Sequence, residues 1–187
     1  MHGLRREKAT VEHVQHQHPA DVLVTARLAL RRLSTDDAAF VLRLVNEPSW
    51  LQFIGDKHVH TLEDARQYLL KGPLDMYARH GFGLYLVEIA SSRIPIGMCG
   101  LIRRDALPDV DIGFAFLPEF WGQGYARESA VAVLDYARRT LGLPRVVAVT
   151  AIDNTRSIKL LESIGFQFAG MVRLSPGEPE IKLFASG

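Results

Sequence analysis

The chain has 187 residues, enough for one ordinary domain with little left over for a second. Hydrophobic residues at 48% and charged residues at 23% exclude a wholly disordered chain, and 22 basic against 21 acidic side chains leave a net charge of +1, without the basic field that nucleic acid or an acidic membrane surface would need. The lone cysteine, Cys99, excludes an intramolecular disulfide and a Cys-rich zinc or redox motif, and it suits a reducing cytosol.

Residues 1–20 carry four histidines (His2, His13, His16, His18) and scattered charges, with no sustained period and no apolar stretch. They read as a flexible extension, neither signal peptide nor membrane anchor, ahead of a single domain over residues 21–187. From Val22 the segment VLVTARLALRRL reads as a first strand. Ser34 is an N-cap, with Asp36 and Asp37 in the first turn and Phe40, Val41, Leu44 and Val45 at helical spacing, and this helix is expected to end near Pro48. Thr61 caps a second helix that the Gly72-Pro73 pair breaks, with a further helical stretch to His80. GFGLYLVEIA, IGMCGLIRR and DVDIGFAFL follow as three consecutive strands, the first two joined as a hairpin. Gly124 to Leu141 is the longest helix, RVVAVTA a buried strand, and Asn154 or Asp153 caps a last helix that stops at Gly165. Phe166 to Arg173 and Glu180 to Ala185 close the chain as strands. A strand, a long helix and another strand imply a right-handed crossover and a parallel pair, whereas the hairpins imply antiparallel pairs. The expected fold is therefore α/β, a single domain with a mixed, mostly antiparallel sheet flanked by helices.

The densest chemical signal joins the third of the consecutive strands to the long helix: Leu117-Pro118-Glu119-Phe120-Trp121-Gly122-Gln123-Gly124-Tyr125-Ala126-Arg127-Glu128. Gly122 and Gly124 let the backbone approach a ligand closely, and the free N–H groups and dipole of a helix N-terminus favour an anion such as phosphate or pyrophosphate. The same glycines could equally make only a tight turn. Arg127 stands where a dinucleotide-binding fingerprint needs its third glycine, and no Gly-Lys-Ser/Thr follows to make a P-loop.

Trp121-Gly122-Gln123-Gly124-Tyr125-Ala126 resembles the pyrophosphate loop of the GNAT N-acetyltransferase superfamily, in the form common in its Rim-type branch of ribosomal-protein N-terminal acetyltransferases. Asn154-Thr155-Arg156-Ser157-Ile158-Lys159-Leu160-Leu161-Glu162-Ser163-Ile164-Gly165-Phe166 resembles the second superfamily motif, an Asn that starts a helix ending in Gly-Phe, and Arg27-Leu28-Ala29-Leu30-Arg31 resembles the Rim-type start. The resemblance spans about residues 22 to 185. It implies an acetyl-CoA-dependent N-acetyltransferase without a metal. The pyrophosphate would sit on the N–H groups of Gln123 to Ala126, and the backbone of Phe116 and Leu117, at a bulge ending its strand, would hold the pantetheine and the acetyl carbonyl. Arg127 departs from the usual Thr and could add a phosphate contact.

An amine attacks a thioester only when neutral, so something must accept its proton, stabilise an oxyanion and assist the leaving thiolate. The Tyr that serves the leaving group in many superfamily members aligns with Leu161. The resemblance then associates Ser157 with the sulfur, beside the plainer reading of an ordinary first-turn serine. Asp111, on the face of its strand opposite Ile112 and Phe114, is the candidate base, its plainer reading being an exposed strand carboxylate. Some relatives carry a Glu where Val149 stands here, which points to a water-mediated route or to an amine of low pKa, such as an α-amine near 8. Asp56, His58 and His60 are spaced to share a metal, yet no further cluster completes a site, so a place at the acceptor mouth is preferred for the histidines. Cys99 reads as a small core residue, as do Trp50 and Phe53 in preference to pocket walls.

The leading expectation is acetyl transfer to a protein N-terminus by direct attack in a ternary complex. The alternatives are a small amine as acceptor (an aminoglycoside, an amino acid or a polyamine) and a catalytically weak acyl-CoA-binding module. A monomer or homodimer in the cytoplasm, with no nucleic-acid or membrane partner, is expected.

Overall fold

The computed structural model describes residues 20–187; apart from Ala20, the expected N-terminal extension lies outside the described residues. In chain order the elements are β1 (Asp21–Val24), β2 (Leu28–Arg32), α1 (Ala38–Val45), α2 (Pro48–Phe53), α3 (Leu62–Leu69), α4 (Asp75–His80), β3 (Leu84–Ile89), β4 (Pro95–Ile102), β5 (Asp111–Phe116), α5 (Tyr125–Arg139), β6 (Val147–Thr150), α6 (Thr155–Ser163), β7 (Phe166–Val172) and β8 (Ile181–Ser186). One eight-stranded sheet runs in the order β1-β2-β3-β4-β5-β6-β8-β7. Among the described residues β5 and β6 form its one parallel pair, joined through α5 as a strand–helix–strand crossover requires.

Strand alternation sends the sheet's side chains into two cores. Tyr85, Cys99, Leu101, Ile112 and Phe116 pack with Ala130, Val133 and Ala137 of α5 and Leu161 of α6. Leu86, Met98 and Leu117 belong to a second cluster with Val41 and Leu44 of α1, Trp50 of α2, and Ala65 and Leu69 of α3. The sheet is thus covered on both faces, with α5 and α6 on one and α1 to α3 on the other.

Two of the predicted N-caps close as capping boxes: Ser34 and Asp37 are reciprocally bonded, as are Thr61 and Asp64. Three local expectations need correction. The expected first strand is a hairpin, because Thr25 turns the chain by donating its N–H to the Leu28 carbonyl at 2.9 Å. The first helix does end near Pro48, at Val45, but Pro48 also opens a helix not expected there, α2, from its first turn, where a missing N–H carries no penalty. Gly72-Pro73 does not break the second helix. A wide π-type turn over Leu70–Leu74 absorbs Pro73 and carries the chain into α4, which ends at Gly81 in the left-handed region (φ 78°). No helix among the described residues is long and apolar enough to cross a membrane.

Candidate active site

Asp111 and Val147 form the single register pair between β5 and β6, supported by the Val147 N–H to Val110 carbonyl bond at 3.0 Å. Beyond that pair both strands continue without a shared ladder, so they part and leave an opening whose narrow end is at Asp111. The first turns of α5 and α6, which follow β5 and β6, lie at its wide end. Two positive helix termini therefore border the same gap.

The antiparallel register of β4 with β5, from Gly97↔Phe116 to Ile102↔Asp111, is uninterrupted, so the expected bulge at the end of β5 is not formed. The Leu117 N–H donates to the Ile96 carbonyl at 2.9 Å and is thereby committed to the sheet. Alternation along the ladder turns the N–H groups of Phe114 and Phe116 the other way, toward the opening. The Phe116 N–H is thus on the side of the opening, that of Leu117 is not, and Phe114 shares the edge of Phe116. The Phe116 carbonyl accepts from Trp121 Nε1 at 2.8 Å.

The glycine-rich loop places Gly122 and Gly124 in the left-handed region, at φ 73° and 82°. The N–H groups of Gln123, Gly124, Tyr125, Ala126 and Arg127 meet no acceptor among the described residues; the first paired amide of α5 is that of Glu128, bonded to the Gly124 carbonyl at 3.0 Å. A side chain at Gly122 would meet nothing within 4 Å, so the space beside Gly122 is open. Arg127 is exposed in the first turn of α5 and lines, with Thr25, Arg27 and Gly124, a cleft of about 630 Å³.

Trp121 ties the loop to both neighbouring elements. Besides its bond to Phe116, its ring lies under the Arg156 guanidinium of α6, 4.6 Å from the ring centroid. The two arginines of the Arg27-Leu28-Ala29-Leu30-Arg31 segment diverge in their tasks. Arg27 reaches the glycine loop, donating to the Gln123 carbonyl at 2.9 Å. Arg31 is buried and pairs with Glu88 at 2.9 Å and Asp37 at 2.7 Å, fastening β2 to β3 and to the turn before α1.

Asn154 caps α6, its side-chain oxygen accepting the Ser157 N–H at 3.2 Å. The Ser157 hydroxyl itself makes no hydrogen bond among the described residues, so it is not consumed in capping.

Asp111 is not the exposed strand carboxylate of its plainer reading: the residue is 1% exposed, on the α1–α3 side of the sheet. Both carboxylate oxygens lie 3.2 Å from Arg104 Nε. Burial pushes the carboxyl above its ordinary range, and the Arg104 guanidinium opposes but does not cancel the rise. Arg104 had no sequence signal of its own, standing outside any motif.

Trp50 is buried in the α1–α3 core as expected, and its indole N–H has no acceptor among the described residues. Cys99 is fully buried, and desolvation pushes its thiol up to about 12, which leaves it inert as a nucleophile. The donor atoms of Asp56, His58 and His60 come within 4.8 Å of one another, all exposed, in the loop between α2 and α3. His58 lines a neighbouring cleft of about 440 Å³ together with Asp64, Tyr68 and Lys71.

Comparison with known proteins gives a family. An acetyltransferase (GNAT) domain matches residues 27–167. An uncharacterized N-acetyltransferase, p20 of Bacillus licheniformis, is 27% identical over 154 residues, covering 82% of this chain and 86% of its own. A spermidine N(1)-acetyltransferase of Vibrio cholerae is 24% identical over 144 residues, covering 76% and 80%. Among solved structures, a ribosomal L7/L12 α-N-protein acetyltransferase (RimL) in complex with coenzyme A superposes with a TM-score of 0.74 at 22% identity, covering 89% of this chain and 97% of that one. That last likeness concerns the fold, whereas the domain match extends from Arg27 through the glycine loop and α6 to the start of β7. The chain belongs to the GNAT acetyltransferase family.

Proposed function

We propose that this acetyltransferase takes its acetyl group from acetyl-CoA and delivers it to a primary amine, with a protein N-terminal α-amine as the acceptor, by direct attack in a ternary complex. The observation that carries the donor half is the run of unpaired N–H groups from Gln123 to Arg127 over open space at Gly122. Such a run at a helix N-terminus fits a pyrophosphate. The N–H edge of Phe114 and Phe116 fits the amides of a pantetheine arm, and the coenzyme A bound to the RimL neighbour supports the same reading. When bound, the donor supplies an acetyl thioester, an electrophile with a thiolate leaving group.

The chain's own residues then have distinct tasks. Asp111 lies five residues before Phe116, roughly 16 Å along an extended strand, at the narrow end of the opening. A carboxylate whose pKa is raised by burial accepts a proton more readily than a surface one, and Asp111 is assigned the proton of the incoming ammonium through water. An α-amine has an ordinary pKa near 8, so removing that proton demands little of the base. Ser157, with its hydroxyl uncommitted, donates to the departing sulfur. Asn154 orders the first turn of α6 beneath it.

The similarity to the spermidine enzyme supports a second reading, in which the acceptor is a small polyamine. Release of free CoA thiol, measured with a panel of N-terminal peptides, spermidine and amino acids, separates the two. Peptide-dependent release is expected. Faster release with spermidine would overturn the protein acceptor, and coenzyme A binding without release by any amine would leave only a binding module.

A further inference from the structure

Arg27 lies in the β1–β2 turn, 96 residues before Gln123 in sequence, and each of its three guanidinium nitrogens contacts the glycine loop or its helix. Nη1 donates to the Gln123 carbonyl at 2.9 Å. Nε and Nη2 meet Glu128 Oε2 at 2.7 and 2.6 Å. The plane lies over the Tyr125 ring, 4.5 Å from its centroid. Glu128 is itself held from β1–β2, accepting from Thr25 Oγ1 at 2.6 Å and from the Arg27 backbone N–H at 3.0 Å.

We infer that Arg27 is a positioning residue for the donor-binding loop, fixing the Gln123–Gly124 peptide so that the Gly124 N–H faces the pyrophosphate. The inference rests on the acetyl-CoA reading above. Its physical basis is the trans peptide, a rigid plane in which C=O and the following N–H point in opposite directions. Drawing the Gln123 carbonyl toward Arg27 turns the Gly124 N–H away from it. Such an anchor is needed because glycine itself imposes no preferred sign of φ: Gly122 and Gly124 at φ 73° and 82° could let the intervening peptides rotate and present carbonyls to an anion. A carbonyl in that position would repel phosphate.

Two features set this role apart from ordinary alternatives. The Arg27–Glu128 pair is solvent-accessible, with side chains 46% and 20% exposed, and pairs of that kind contribute little to folding stability. Direct attraction of phosphate is also disfavoured, because each guanidinium nitrogen of Arg27 already has a partner in this loop or helix and its charge is paired with Glu128. Burial works against ionisation of Glu128, but the bonds from Thr25 and Arg27 outweigh it and hold the carboxyl below its ordinary range.

The test is calorimetric titration of the full chain with coenzyme A, for wild type, Arg27→Ala, Arg27→Lys and Glu128→Gln, with melting temperatures alongside and KM for acetyl-CoA on any accepted amine. Arg27→Ala should weaken coenzyme A about tenfold, the scale of one lost donor to a charged group. KM for acetyl-CoA should rise with little change in kcat, and the melting temperature should move by no more than about 2–4 °C. Arg27→Lys keeps the charge pair but not the fork, and should fall between. Glu128→Gln is decisive, since it frees Arg27 while removing a negative charge near the phosphates. A clamp predicts weaker binding, whereas direct attraction predicts binding as tight or tighter, which would overturn the inference, as would unchanged affinity in Arg27→Ala. Absence of coenzyme A binding by wild type would instead remove the donor reading on which the inference stands.

Discussion

The Arg156 guanidinium rests on the Trp121 ring, 4.6 Å from its centroid, and so couples the first turn of α6 to the loop that opens α5. The same ring donates its N–H to the carbonyl that ends β5. One side chain thereby joins the three segments at the wide end of the opening. Trp121→Leu loses a cation–π contact of about 0.5–1 kcal/mol and a hydrogen bond of about 0.5–1.5 kcal/mol. Coenzyme A affinity should fall roughly five- to seventyfold, since these contacts order the loop. Arg156→Ala removes only the first contact and should cost roughly two- to fivefold. Calorimetric affinities for the two variants check the ranking.

Gly124 holds φ at 82°, and a Cβ there would come within 3.3 Å of Arg27 Nη2. Gly124→Val adds a branched side chain to a left-handed position, a strain of about 1–2 kcal/mol, and pushes against the Arg27 contact. Coenzyme A binding should be abolished while the chain still melts cooperatively. Unchanged affinity in a folded variant would reduce the loop to a turn.

Asn154 and Ser157 should separate cleanly. Asn154→Ala removes the α6 cap and should lower stability by about 1 kcal/mol. Ser157→Ala leaves that cap intact, since the capped group is its backbone N–H. It should lower kcat by about ten- to a thousandfold, the scale of one lost transition-state donor, with coenzyme A affinity nearly unchanged. Wild-type turnover in Ser157→Ala would leave the thiolate to water and backbone.

Burial holds the Asp111 carboxyl above its ordinary range, so folding penalises its ionised form. The stability that this group contributes is full below its unfolded value of about 3.9 and is lost as pH rises through the higher folded value. Asp111→Asn should therefore match wild type in acid and melt higher at neutral pH, while losing turnover throughout. Melting curves across that range, paired with rate measurements, test both halves. An Asn variant that melts lower at neutral pH would mean that the Arg104 ion pair outweighs burial.

Much of the fold was legible because its signals are local. Ser34 and Thr61 cap because each has an acidic partner three residues on, and α5 declares itself by an apolar stripe and the glycines before it. The mixed sheet followed from connection lengths alone. The reading fell short where a local rule has two solutions: Pro48 follows the end of one helix and also begins the next, and a wide turn can absorb Pro73. What only the tertiary structure decided is which groups face one another across the sheet. Alternation along β5 puts Asp111 opposite Ile112, but its burial and its pairing with Arg104 depend on α1 to α3 covering that face. The commitment of the Leu117 N–H depends on β4 running alongside. The hold of Arg27 on Gln123 depends on β1 and β2 folding back beside α5. Caps and periods are written in residues a few positions apart, whereas these contacts join residues that only the order of strands brings together.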